Sequence, residues 1–295
     1  MEECLAQAPW GEGAKRLAVL ADIHGNLHAL RAVLADADDH DAGGLLVLGD
    51  SITRGPDPIG VLTTLRQRGA CLIRGNVETY MLQYRNGLAP AHWYGNPQWA
   101  ALAWTAGHLD DEAAAYVAAL PEQRRLSVEG APDALLVHGS PDDPAESLYV
   151  AGDPAVVALY VQAGLLRPDR MPTPVEEVLP QVREDVLLCG HTHLPWVYRH
   201  GGGLALNPGS VGMSVAGDPR ARYAWLDLVA GRWQPTLRAI PYDLAALERR
   251  FGESGALDHG GELADAFMRT MLTGENAILA YLRQASARGA KDRKS

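Results

Sequence analysis

Five short apolar runs in this chain each lead into residues with metal-binding side chains, and that repetition limits the fold more than any other feature. Residues 17–21 lead into Asp22-Ile23-His24-Gly25-Asn26, residues 45–48 into Gly49-Asp50, and residues 71–73 into Gly75-Asn76. Residues 134–137 lead into His138-Gly139-Ser140, and residues 186–189 into Gly190-His191-Thr192-His193. Short apolar runs bounded by turn residues read as buried strands. When the strands of a sheet carry ligands just past their carboxyl ends, those ligands gather in one crevice. The pattern therefore predicts a single pocket holding Asp22, His24, Asp50, Asn76, His138, His191 and His193.

The donor set defines the chemistry. Carboxylate and amide oxygens with imidazole nitrogens suit divalent ions, Mn foremost, with Fe, Co, Ni or Zn as alternatives. The set contains no cysteine, which fits a catalytic site better than a closed structural zinc. Two divalent ions facing Asp22 and Asp50 keep a surplus of about +2, enough to acidify a bridging water and attract a phosphate oxygen. Any one of these motifs occurs often by accident. The ordered set of five does not.

Between the motifs the chain reads as strand–turn–helix, with apolar helical spacing at Leu27, Leu30, Val33, Leu34 and Ala37. Residues 1–14, with Pro9, Gly11 and Gly13, read as a flexible leader. Residues 80–122, rich in Trp, Tyr and Ala, read as a helical insertion. After His191 the chain is strand-dominated, with hairpin turns at residues 201–203 and 230–231, and residues 243–287 read as C-terminal helices. Residues 15–295 are expected to form a single domain. At 295 residues and 47% hydrophobic content the chain can bury a large core.

The net charge of −10 argues against binding long nucleic acids, which need a basic surface. No apolar run approaches the roughly 18 residues of a membrane span, and the acidic start Met1-Glu2-Glu3 is unlike a secretion signal. The three cysteines are odd in number and have no paired spacing, so no disulfide framework is expected. A cytoplasmic location follows as the expectation.

The order D-x-H, G-D, G-N, H-G and G-H-x-H resembles the calcineurin-like metallophosphoesterase superfamily, and the likeness spans about residues 15–242. The stretch Asn207-Pro208-Gly209-Ser210-Val211-Gly212, followed by Gly217-Asp218-Pro219-Arg220, resembles its small prokaryotic phosphodiesterase branch. The resemblance implies an α/β fold: a central β-sandwich of mixed sheets flanked by helices, in four layers. It implies one metal held by Asp22, His24 and His193, a second held by Asn76, His138 and His191, and Asp50 bridging them. Arg54 matches the position at which related phosphatases grip phosphate, which suits bidentate guanidinium geometry. Asp50, Arg54 and Asn76 are the implied catalytic residues.

One departure is informative. Many members read Gly-Asn-His-Asp/Glu at the third motif, where the histidine helps protonate the leaving oxygen; this chain reads Gly75-Asn76-Val77-Glu78. Valine cannot transfer a proton, and general acid catalysis is typically worth about 10²–10⁴ in rate. The small phosphodiesterases often lack this histidine too. Glu78 reads as a first-turn helix carboxylate favoured by the helix dipole. His28, one turn after His24, and Tyr149 are weaker candidates for substrate contact. Trp93, Tyr94, Trp99 and Trp104 are read as the insertion's own core, with stacking on a nucleobase as the alternative.

The leading expectation is a binuclear phosphodiesterase hydrolysing a small phosphodiester, such as a cyclic nucleotide, through a metal-bridging hydroxide. The alternatives are a phosphomonoesterase, either a protein Ser/Thr phosphatase or a dinucleoside polyphosphate hydrolase, and a non-catalytic, metal-stabilised interaction module. The C-terminal helices would either cover the sandwich or form a homodimer surface.

Overall fold

The computed structural model describes residues 16–169 and 171–292; the expected leader lies outside them. In chain order the elements are β1 (Arg16–Leu20), α1 (Leu27–Asp39), β2 (Gly44–Val47), α2 (Pro58–Gln67), β3 (Cys71–Leu72), α3 (Asn76–Arg85), α4 (Ala100–His108) and α5 (Asp111–Ala119). Then come β4 (Arg124–Leu126), β5 (Ala134–Leu136), β6 (Leu148–Tyr149), α6 (Pro154–Gln162), β7 (Thr173–Pro174), α7 (Val175–Val178) and β8 (Val186–Leu188). The chain ends with β9 (Pro195–His200), β10 (Gly203–Pro208), β11 (Ala221–Val229), β12 (Arg232–Ile240), α8 (Leu244–Glu253), α9 (Ala256–Thr273) and α10 (Ala277–Asp292).

Two five-stranded sheets stack face to face. Their orders are β12-β11-β1-β2-β3 and β4-β5-β8-β10-β9. In the first, β1, β2 and β3 run parallel, and β11 joins β1 antiparallel. In the second, β5, β8 and β10 run parallel, with β4 and β9 antiparallel at the edges. Apart from Arg16 at the start of β1 and Asn207 near the end of β10, the parallel strands are apolar because both of their faces are covered. Leu17 and Val19 point between the sheets with Leu136, Leu188 and Leu206. Their neighbours Ala18 and Leu20 point outward to Leu30, Val33 and Leu34 of α1. On the far side, Leu135 and Leu187 pack with Val156 and Tyr160 of α6. The result is helix, sheet, sheet, helix.

The insertion is helical, as expected, with α3 beginning at the ligand Asn76 itself. Part of its aromatic group forms a core: Trp93 stacks on Trp99 at 3.7 Å, and Tyr80 meets both edge-on, whereas Tyr94 is exposed and stacks on Tyr84. Trp104 joins α8 and α9 in a further cluster with Leu247, Phe251 and Phe267. A small parallel sheet of β6 and β7 inside the proline-rich connection was not expected. Cys71 is disulfide-bonded, which the cysteine spacing did not anticipate, whereas Cys189 is a buried free thiol. Among the described residues, no helix is long and apolar enough to cross a membrane.

Candidate metal centre

All seven ligand candidates arrive at one place, past the carboxyl ends of β1, β2, β3, β5 and β8. Asp22, His24 and His138 are fully buried and Asp50 is 1% exposed. His24 Nε2 stands 3.0 Å from His193 Nε2, which lies 3.2 Å from Asp22 Oδ1. Alongside, Asn76 Oδ1 is 3.0 Å from His138 Nε2 and 3.1 Å from His191 Nδ1. Asp50 sits between the two groups, 3.8 Å from His24 Nε2 through Oδ2 and 3.3 Å from His138 Nε2 through Oδ1. The side chains that the resemblance assigns to each ion therefore lie beside one another, and Asp22 Oδ1 also comes within 4.0 Å of His138 Nε2.

The residues present fit a cation pair. Two carboxylates are buried together, and among the described residues Asp22 Oδ1 has no hydrogen-bond partner, a costly arrangement unless a positive group answers it. Asp22, His24 and His193 offer ligand atoms within 4.8 Å of one another, as do Asp22, Asp50 and His138. Two rings are oriented by backbone: His138 Nδ1 lies 2.6 Å from the Leu48 carbonyl, and His193 Nδ1 lies 2.7 Å from that of Met213. Each Nδ1–H donates there, which turns Nε2 toward the centre.

The electrostatics are divided. Burial, with the charge of Arg54 next, lowers His24 well below its ordinary value. Burial and the neighbouring His138 bring His191 down to about 3. Both rings are therefore neutral and ready to ligate at neutral pH. Burial also opposes charge on His138, but the Asp50 carboxylate, its hydrogen bond and Asp22 overcome it and raise the ring to about 10. Burial alone would raise Asp50; His138, His24 and Arg54 instead hold it well below the usual carboxylate range.

The loops carrying these ligands are conformationally expensive. Among the described residues, eight non-glycine positions have positive φ, and six belong to the site: Asp22, His24, Asp50, Arg54, His191 and His193. Left-handed backbone disfavours side chains with a Cβ, and such outliers concentrate where function requires them. The loops brace one another: Asp22 N donates to the Gly49 carbonyl and His24 N to that of Asp50. A Cβ on Gly75 would collide with Asp50 Oδ1, so only glycine allows the Asp50 and Asn76 loops to approach this closely.

Two supports were misjudged or left open in the sequence. Glu78 is a first-turn carboxylate of α3, as expected, but it also organises the bridging ligand's loop. Its Oε1 accepts from Ser51 N and Ile52 N, and its Oε2 from Asp50 N and Gly75 N, at 2.5–3.2 Å. Burial and the Asp50 charge push this carboxyl up to about 7, against the amides that favour its ionised form. The segment from Asn207 to Gly212 does more than close the sheet edge. Ser210 Oγ donates to the Asp22 carbonyl, and Asn207 Nδ2 donates to the Gly190 carbonyl.

The remaining candidates fall differently. Arg54 stands at the mouth with its guanidinium 5.5 Å from the Phe267 ring centre. It has no hydrogen bond or ion pair among the described residues. His28 is half-buried on α1 and does not line the cavities over the centre. Tyr149 is corrected: it is 8% exposed and packs against Tyr160 in the core beneath β8, because β6 turns it inward. A larger cavity of about 600 Å³ between the insertion and α9 contains none of the ligands.

Residues 16–231 match the calcineurin-like phosphoesterase superfamily domain. An uncharacterized protein of Methanocaldococcus jannaschii is 26% identical over 226 residues, covering 72% of this chain and 82% of that protein. A metallophosphoesterase from Sphaerobacter thermophilus superposes with a TM-score of 0.64 at 25% identity, covering 88% of this chain and 99% of that one. A hypothetical protein from Pyrococcus horikoshii OT3 shares the fold with a TM-score of 0.65 at 23% identity, covering 88% and 98%.

Proposed function

The chain belongs to the calcineurin-like phosphoesterase superfamily, and on that premise we propose that it is a binuclear phosphodiesterase acting on a small phosphodiester or nucleotide. The observation that carries this reading is the convergence of the buried Asp22, His24, Asp50, Asn76, His138 and His193 with the half-buried His191, beside an Arg54 that is unpaired among the described residues. Asp22, His24 and His193 would hold one ion, Asn76, His138 and His191 the other, with Asp50 between them; Mn is the expected ion, and the mixed oxygen and imidazole donors also suit Fe, Co, Ni or Zn. When bound, such an ion pair lowers the pKa of water and offsets negative charge on phosphate.

The chain's own residues do the rest. Arg54 presents a guanidinium with free donors to the non-bridging phosphate oxygens, a geometry that orients as well as attracts. The neutral rings of His24 and His191 keep lone pairs available, while backbone carbonyls fix His138 and His193 in place. Val77, 5% exposed, occupies the position from which related enzymes deliver a proton and lines the cavity instead. Without that donor, departure rests more on the leaving oxygen's own acidity, which favours aryl esters over alkyl esters.

Purified protein loaded with Mn²⁺ should cleave bis-p-nitrophenyl phosphate, and Asp50→Asn should abolish cleavage. Wild-type inactivity with Mn, Co, Ni and Fe would sink the reading. Arg54, unpaired among the described residues, also suits a terminal phosphate. A marked preference for p-nitrophenyl phosphate would favour the phosphomonoesterase reading instead.

A further inference from the structure

The cavity above the ligands has two lobes that meet at Arg54 and His191. One, of about 360 Å³, is walled by Tyr80, Trp99, Leu102 and Phe267. The other, of about 310 Å³, is walled by Leu165, Arg167, Met171 and Val215. Ile278 and Leu282 of α10 line both. Resting on the phosphodiesterase reading, we propose that the pocket takes a linear phosphodiester with two bulky arms, one bearing an aromatic ring such as a nucleobase, and that α9 and α10 set this preference.

The phosphorus of a diester carries one substituent on each of two ester oxygens. With phosphate held by Arg54 at the junction, the arms extend into separate lobes. A monoester fills one lobe and leaves the other to water. A compact cyclic diester ties both ester oxygens to one sugar and likewise leaves a lobe empty. Each lobe alone reaches the ~300 Å³ at which small-molecule pockets begin. The first is suited to a flat ring. Trp99 is already stacked on Trp93 and set perpendicular to Tyr80, and aromatic walls stack bases with little regard to sequence. The second lobe has aliphatic walls and Arg167, whose guanidinium is ion-paired with Asp169.

The match to the family ends at residue 231. Phe267, Ile278 and Leu282 come after it, so one wall of each lobe is supplied from outside the matched phosphoesterase domain, while Tyr80, Trp99, Leu165 and Met171 lie within it. The ligands decide that phosphorus is attacked, and the C-terminal helices close the lobes that admit the ester.

The test holds the leaving group constant. The full-length, Mn²⁺-loaded protein is assayed on p-nitrophenyl diesters whose second arm is methyl, p-nitrophenyl or thymidine-5′. One methylene in an apolar pocket is worth roughly 10–200-fold, so KM should fall at least about tenfold from methyl to thymidine. Leu282→Trp, at a half-exposed position that borders both lobes, should flatten this gradient, and Ile278→Trp should do the same if the first variant misfolds. Hydrolysis of all three esters with equal KM, or a gradient that survives both variants, overturns the two-armed pocket and leaves the phosphodiesterase reading standing. Hydrolysis of none of them overturns the phosphodiesterase reading itself.

Discussion

Glu78→Gln exchanges one carboxylate oxygen for an amide nitrogen in a pocket where both oxygens already accept. In the native protein each oxygen takes two backbone N–H groups, Ser51 and Ile52 on one side and Asp50 and Gly75 on the other. Whichever way the amide turns, its NH₂ faces two buried donors that lose their acceptor. Each unsatisfied buried donor costs about 1–3 kcal/mol, so the substitution places about 2–6 kcal/mol of strain on the loop that presents Asp50. The loop can relieve that strain only by moving, and its movement carries the bridging carboxylate away from His138. Even 2 kcal/mol corresponds to about a 30-fold loss in affinity. Calorimetric titration of chelator-treated protein with Mn²⁺ should therefore show at least one ion bound about 30-fold more weakly. The fold should remain intact by circular dichroism, and activity should return in part at high Mn²⁺. Glu78→Asp, with the carboxylate set back by one methylene, should not restore affinity. If Glu78→Gln binds both ions as tightly as wild type, then Glu78 only caps α3 and the loop argument is wrong.

Arg54→Lys keeps the charge and loses the bidentate fork, so KM for a diester should rise about tenfold with kcat less affected, and an unchanged KM would remove Arg54 from substrate contact. The charged His138–Asp50 pair makes a pH-dependent contribution in chelator-treated protein. Because the folded value of His138 is raised to about 10, its stabilisation is complete below about 6.5, the unfolded value, and is lost as pH rises through 10. Metal must displace that proton, so binding at pH 8 should release about one proton, measured by titration in buffers of different ionisation enthalpy. Release that persists in His138→Gln would assign the proton elsewhere.

What could be read in advance was local. A ligand immediately after a buried strand is visible because three to five apolar residues and a turn suffice to define it, and all five such junctions lie where they were expected. The role of Glu78 was hidden because its partners Asp50, Ser51 and Ile52 are 26–28 residues away. Nothing in its own neighbourhood distinguishes it from an ordinary capping carboxylate. The choice between a covering layer and a dimer surface for α9 and α10 depends on which way Phe267 and Leu282 face. Amphipathic spacing identifies a buried side but not what buries it. Tyr149 misled for a related reason. Its loop is proline-rich, yet two residues of β-pairing with β7 turn the ring into the core.

The left-handed backbone at six site positions has an evolutionary corollary. Glycine at Asp22, His24, Asp50, His191 or His193 would relax a torsion disfavoured by roughly 1–2 kcal/mol, so a search for hardier variants would be drawn toward the residues that the chemistry cannot lose. Heat resistance selected without an activity screen would erode this centre first, and a durable relative with glycines at these turns should be suspected of having given up catalysis.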